Sequence, residues 1–516
     1  MKTRIVTLML IVCLLCTMFV SCGGDKQPDE TKGQQGDNQG EQTEDKWADV
    51  NFNGETIYVS LSEWRPSFVT SADAPNSLNF MKGPDNYTTD SVQNAVYDRN
   101  VAVKEKLGLN VQYIITQYSG DPDYPLTVIE NFVLSDLEDS PDIISTMSYG
   151  MVRAGIRGIL YNALTQDYTN YFDFTHENWY SDFMYDNTLD TSKIFMLAGD
   201  YFIDVLRYSY GMLVNMDMYD EVFAKEGGTE ALFELIQAGD WNYDEMIRCS
   251  AMAYVDAGTI GVEDDADTFG IVHNGWWFAR TAFSTSGLTL FDRTDDNKIK
   301  YTENITDVHT FVDKLINVSK QNGFRLNWTG TGQDYDSILA FVDGKALFAL
   351  DSAVLNLEGT QLQNMDEKVC IIPYPKYNKD AEYAALVSDN ANVGGIPYNS
   401  DNFTEASAFL QLSTELSNGG KGTLIYEYYD VTLKYKLSAT PAQVAMLEFI
   451  RNGVCCPTSM LYDNYFSQNV GADSYFLLIN KCLGAGTNTF ASDWASQYNA
   501  VQGSLETVLA TYGQQD

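Results

Sequence analysis

Histidine is the commonest general base near neutral pH, and this chain of 516 residues has three, His176, His273 and His309. They lie far apart, and none stands in an HExxH pair that would hold zinc. No GxSxG elbow presents a serine nucleophile. Gly420-Lys421 lacks both the upstream glycine and the following Ser or Thr of a phosphate loop. Two carboxylates could cleave a glycosidic bond, but among 71 acidic residues spacing singles out no such pair. The chain therefore reads as non-catalytic.

Metal chemistry fares no better, and no cofactor or metal is expected. Residues 292–303 approach a calcium loop, with Asp292, Asp296 and Glu303 at positions 1, 5 and 12 and Ile299 at position 8. The required glycine is Asn297, and Lys298 and Lys300 would repel the ion. Apolar and β-prone residues flank an Asp-Asp-Asn turn, so the segment reads as a β-hairpin. Five cysteines follow the N-terminal leader: Cys249, Cys370, Cys455, Cys456 and Cys482. None has CxxC spacing, which argues against zinc. Cys455 and Cys456 are adjacent and could form a strained disulfide; they read instead as reduced thiols.

What remains is binding chemistry. Ser62-Glu63-Trp64-Arg65 and Thr146-Met147-Ser148-Tyr149-Gly150 each set an aromatic ring beside polar groups. A sugar needs that combination, because its C–H faces stack on rings while its hydroxyls seek donors and acceptors. The elements that must position these loops are legible. Residues 55–61 and 109–115 read as strands, 91–107 and 126–137 as helices, and 142–145 as a short buried strand. Strand, helix, strand, helix, strand at this spacing means βαβ units and a parallel sheet. Ligands bind such sheets at the carboxyl ends of the strands, where both loops lie.

The N-terminus describes an address. Lys2 and Arg4 precede an apolar run over residues 5–20, too short to span a membrane and typical of a secretory signal. Phe19-Val20-Ser21-Cys22 resembles a bacterial lipobox, with Phe19 departing from the usual leucine; the resemblance implies cleavage before Cys22 and acylation of its thiol. Residues 23–46 have no aliphatic or aromatic side chain to bury and read as a flexible tether. The expected location is the extracytoplasmic face of a cell membrane, held by lipid. Loss of the leader takes the formal charge from −39 to −41, which excludes a protein that follows a phosphate backbone, so no nucleic acid partner is expected.

Several later segments carry a family resemblance. They are Pro141-Asp142-Ile143-Ile144, Tyr210-Gly211-Met212-Leu213-Val214-Asn215 and Trp241-Asn242-Tyr243-Asp244-Glu245-Met246. Phe341-Val342-Asp343-Gly344-Lys345-Ala346-Leu347-Phe348, Pro373-Tyr374-Pro375 and Gly394-Gly395 continue the series. In this order, over roughly residues 54–420, the chain resembles the family 1 extracellular solute-binding proteins of bacterial ABC importers, the group that includes maltose-binding protein. The resemblance implies an α/β, periplasmic-binding-protein-like fold, with two lobes of parallel-type sheets joined by a hinge. Lobe 1 would take residues 47–205 and 390–440, and lobe 2 residues 206–389 and 441–516. The crossings would fall near residues 203–209 and 386–392, and hinge closure would trap a carbohydrate for a membrane permease. A monomer is expected.

The same resemblance directs attention to particular residues. Trp64 follows the first strand, where the family makes ligand contacts. Trp276 and Trp277 read as neighbours on a strand, so at most one of them should reach the cleft. Asp351 and Ser352 follow the Phe341–Phe348 motif at a position that often touches ligand. Asp389 and Asn390 lie in the second crossing, where they could bond hydroxyls or simply make a turn. Tyr149 and Arg207 complete the set, and Tyr426-Glu427-Tyr428-Tyr429 would bury half its rings by alternation. Two other readings stay open: a starch-utilisation-type outer-membrane glycan-binding lipoprotein, and a secreted glycosidase. The first would be built of helical repeats, against which the βαβ opening argues.

Overall fold

Asp90 starts the first long helix by accepting N–H bonds from Val92 (2.8 Å) and Gln93 (3.2 Å). Helix Ser91–Leu107 then buries Val92, Ala95, Val96, Val103 and Leu107 on one side. Gly108 ends it in the left-handed region at φ 61°, where a Cβ would also meet the Asn51 side chain at 2.4 Å. The computed structural model describes residues 45–63, 76–117, 124–135, 140–261, 264, 266–303, 305–327, 340–436 and 440–512. Residues 45–48 belong to a separate N-terminal unit, and Asp49–Asp516 form one compact unit.

The strands, in chain order, are β1 (Thr56–Glu63), β2 (Asn110–Gln117), β3 (Ile143–Met147), β4 (Tyr210–Asn215), β5 (Phe269–Asn274), β6 (Phe291–Arg293), β7 (Ile299–Tyr301), β8 (Phe324–Asn327), β9 (Ala346–Ala353), β10 (Val369–Ile372), β11 (Ala385–Leu386), β12 (Asn392–Gly395) and β13 (Val454–Cys455). The first sheet has the order β12-β3-β1-β2 and the second β10-β4-β9-β5-β8. The opening βαβ reading is correct, since β1 pairs in parallel with both β2 and β3.

The expectation of parallel-type sheets needs correction, because both sheets are mixed. β12 runs antiparallel to β3, and β4 runs antiparallel to both β9 and β10. The reason is topological. A helix crossover returns the chain to the same end of a sheet, giving a parallel neighbour. β4 and β12 are instead the strands entered when the chain passes from one sheet to the other, so they arrive from the opposite end.

The β6–β7 hairpin forms as expected, and Asn297 in its turn takes the left-handed conformation at φ 63°. All five described cysteines are free. Two local readings fail. Trp276 and Trp277 lie in helix Gly275–Ser284, not on a strand, so strand alternation does not apply to them. Tyr426–Lys436 is a π-helix that buries both Tyr428 and Tyr429, so alternation does not apply.

Later elements complete the layers. Helix Phe403–Ser417 and the π-helix pack on helix Ser91–Leu107. Helix Pro441–Asn452 packs on β10, and helices Tyr475–Ala485 and Phe490–Thr511 pack on helix Ile305–Ser319. A continuous apolar core runs from Val92 and Val96 through Ile203 and Leu206 to Leu213, Phe269, Val272 and Ile371. It therefore joins the helical layer of the first sheet to the second sheet.

Candidate functional site

Asp389 stands where the chain returns from the second sheet to the first. Its carbonyl accepts bonds from the Tyr149 N–H at 3.2 Å and the Ser148 hydroxyl at 3.0 Å, which ties it to the carboxyl end of β3. Its carboxylate lies 3.8 Å from the Arg280 guanidinium, on the helix that follows β5. Burial raises the Asp389 pKa and the Arg280 charge opposes the rise. Its carboxylate side chain keeps 18 % of its surface exposed while Arg280 keeps 4 %, so the carboxylate is the end that meets solvent.

Aromatic rings surround this pair. The Arg280 guanidinium lies 5.6 Å from the Trp277 ring and 5.8 Å from Phe476. Trp277 packs against Tyr210, the first residue of β4, with ring centres 5.4 Å apart. On the side of the first sheet, the Arg153 guanidinium lies 4.1 Å from the Tyr149 ring and 5.6 Å from Tyr465. Tyr149 and Arg153 are four apart on helix Ser148–Ile156, so one helical face presents both. The result is a polar and aromatic patch drawn from the carboxyl ends of β3 and β5, the second crossing and the C-terminal helices.

The structure thus brings together Tyr149, Trp277 and Asp389 of the expected residues and adds Arg280 and Arg153, which the sequence reading missed. Both arginines were signalled by helical spacing, Arg153 from Tyr149 and Arg280 from Trp277, once those segments are known to be helices. Asn390 lies in the turn after Asp389, its N–H bonded to the Ser388 hydroxyl at 3.3 Å. Trp64 lies outside the described residues. Trp276 occupies the first turn after β5, and its side chain also lies outside them.

Arg207 is committed to a different task. It grips Glu358 through two bonds of 2.9 and 2.8 Å and Asp204 through one of 2.7 Å, and it stacks 4.3 Å over Phe80. All three charged side chains are buried, so the pairing holds the first crossing against the helical layer instead of presenting Arg207 to a solute.

Asp351 and Ser352 lie at an irregularity of β9. Between Gly211–Leu213 on β4 and Ala349–Ser352 on β9 the register slips, so Leu350 and Asp351 form a bulge. Asp351 adopts φ 56°, and its carboxylate oxygens are sealed from solvent. Ser352 is buried, with its hydroxyl 3.4 Å from the Ala349 carbonyl. Ser352 and the Asp351 carboxylate oxygens are thus buried, while Asp351 as a whole is half-buried.

Among the described residues, no three His, Cys, Asp or Glu side chains group to hold a metal, and no helix is long and apolar enough to cross a membrane. By sequence, no family model and no curated protein matches the chain. By structure, it is similar to the galacto-N-biose-/lacto-N-biose I-binding protein of an ABC transporter from Bifidobacterium longum, in complex with lacto-N-biose. Identity is 11 %, the TM-score is 0.50, and the match covers 89 % of this chain and 98 % of that one. The fold is that of an ABC-transporter solute-binding protein. A family 1 extracellular solute-binding protein from Bifidobacterium longum subsp. infantis is also similar, at 11 % identity and TM-score 0.49, covering 88 % of this chain and 100 % of that one. So is the maltose/maltodextrin-binding domain from Bdellovibrio bacteriovorus, bound to maltotriose, at 13 % identity and TM-score 0.44, with 88 % and 100 % covered. Within the solute-binding fold, the Asp389 patch lies at the strand ends where open α/β sheets take ligands.

Proposed function

We propose that this protein is a lipid-anchored, extracytoplasmic solute-binding protein that captures a sugar or oligosaccharide between two lobes. Residues 47–205 and 390–440 make lobe 1, and residues 206–389 and 441–516 make lobe 2. The loaded protein docks on the permease of an ABC importer and leaves the sugar chemically unchanged. Acylated Cys22 and the tether of residues 23–46 hold it at the membrane.

One observation carries this reading. Groups from both sheets converge on Asp389, and they are of the kind a sugar needs: an acidic acceptor, guanidinium donors and aromatic faces. They meet beside a chain crossing, where a small rotation of one lobe against the other opens or closes the space between them. The fold shared with a lacto-N-biose-binding protein supports a crevice for a carbohydrate.

The test is a thermal-shift screen against mono- and oligosaccharides, with product analysis of every sugar that acts. A saturable rise in melting temperature with the sugar recovered intact is expected, by linkage of binding to folding. Recovery of cleaved sugar would replace the proposal with a glycosidase, and no response to any sugar would withdraw carbohydrate as the substrate class.

A further inference from the structure

Helix Gly275–Ser284 carries the Asp389 patch beyond Arg280. Trp277, Arg280 and Ser284 follow one another at intervals of three and four residues, so they share one helical face. Ser284 stands one turn past Arg280, about 6 Å along the axis. There it lines a cavity of about 440 Å³, a size typical of ligand pockets. The second crossing reaches the same place. β13 pairs with β11, and the Cys455 carbonyl accepts the Val387 N–H at 2.8 Å, two residues before Asp389. The Cys455 Sγ lies 3.9 Å from the Ser284 carbonyl, and Pro457 lines the cavity.

The lining has the composition of a sugar subsite. Asp186, the last residue of helix Ser181–Asp186, and Asp292 on β6 supply carboxylate acceptors. Arg293 supplies donors, with its guanidinium steadied by bonds to the Tyr185 carbonyl at 2.8 Å and the Asn297 carbonyl at 3.4 Å. Thr289 adds a hydroxyl, and Phe291 adds a ring that Tyr301 backs with centres 4.5 Å apart. Acceptors, donors and an apolar face in one cavity match the hydroxyls and C–H edges of a pyranose.

Charge narrows the class further. Across the patch and the cavity, Asp186, Asp292 and Asp389 are set one for one against Arg153, Arg280 and Arg293. The combined surface offers an ionic solute no net attraction, while each charged group remains a strong hydrogen-bond partner for a neutral one.

We propose that the solute is a neutral oligosaccharide of about three units, with one unit beside Asp389 and the chain continuing along the Trp277–Ser284 face into the cavity at the β6–β7 hairpin. This rests on the solute-binding reading above and adds chain length and charge to it. In the division into lobes given there, Asp186 belongs to lobe 1 and the hairpin to lobe 2, so both lobes would grip the extension.

The experiment is calorimetric titration of the whole protein with sugars of rising length. The probes are glucose, maltose and maltotriose; cellobiose and cellotriose; galactose and lacto-N-biose; and trigalacturonate as the charged counterpart. In the series that binds, affinity should rise about tenfold or more from one unit to the longest member, and trigalacturonate should bind more weakly than a neutral trimer. Thr289 is exposed, so Thr289→Trp fills the cavity without disturbing the core. It should remove the gain with length, and Asp292→Asn should reduce it, while both leave monosaccharide affinity and melting temperature unchanged. Equal affinity for one unit and three, a trimer indifferent to Thr289→Trp, or preference for trigalacturonate would each overturn the proposal while leaving the solute-binding reading in place. Failure of every probe to bind would overturn both.

Discussion

Replacing Arg207 with methionine separates a fold-holding role from a solute-binding one. Methionine keeps most of the apolar stem against Phe80 but removes the guanidinium. That deletes two bonds to Glu358 and one to Asp204, all between 2.7 and 2.9 Å. Two carboxylates are then left buried, with side chains 3 % and 6 % exposed. Their remaining partners are neutral: Ser77 and the Asn392 N–H for Asp204, and Tyr428 for Glu358. Breaking a buried pair in this way costs about 3–5 kcal/mol, because the orphaned charge stays desolvated. Urea unfolding followed by tryptophan fluorescence should show a loss of that size at neutral pH. Adding Glu358→Gln removes one orphaned charge and should recover about 1–2 kcal/mol of coupling. Sugar affinity measured under folding conditions should be unchanged. A stability loss below about 1 kcal/mol together with weakened sugar binding would refute the argument and return Arg207 to the binding site.

Two further predictions follow from buried groups. The Tyr512 ring packs edge-on against Phe195 at 5.3 Å, and its hydroxyl lies 3.1 Å from Thr188. Tyr512→Ala should cost about 3–5 kcal/mol in chemical unfolding and Tyr512→Phe only about 1 kcal/mol; equal losses would show that the hydroxyl, not the ring, anchors the C-terminus. Burial raises the Asp200 pKa to about 6, against the bonds it accepts from Tyr180 and Asn418. Between the unfolded value near 4 and the folded value, the folded state holds the extra proton, so this group's contribution to stability falls as pH rises through that window. The decline is on the order of 3 kcal/mol, and Asp200→Asn should flatten the pH profile relative to the parent between about pH 4 and 7. A parallel profile for the two proteins would contradict the assignment.

The opening half of the fold was legible because its signals are local. Asp90, the apolar spacing from Val92 to Val103 and Gly108 mark a helix without reference to anything distant. The Asp295-Asp296-Asn297 turn likewise marks a hairpin. The antiparallel course of β4 and β12 was not legible, since it depends on which sheet the chain has just left. The strand-to-helix switch at Asn274-Gly275 hid the site, because Arg280 joins Trp277 only at helical period. Asp351 shows the opposite case: its place in the sequence drew attention, and a one-residue bulge turned its side chain inward, where periodicity had no power to follow.

Binding of an intact sugar beside Asp389 carries the proposed function. It is tested most directly by isothermal titration calorimetry with a sugar from the thermal screen, followed by mass spectrometry of the recovered ligand. One site per chain, unaltered sugar, and a loss of about tenfold or more in affinity for Asp389→Asn with the fold retained are expected. Undiminished affinity in that variant, or a cleaved ligand, would contradict it.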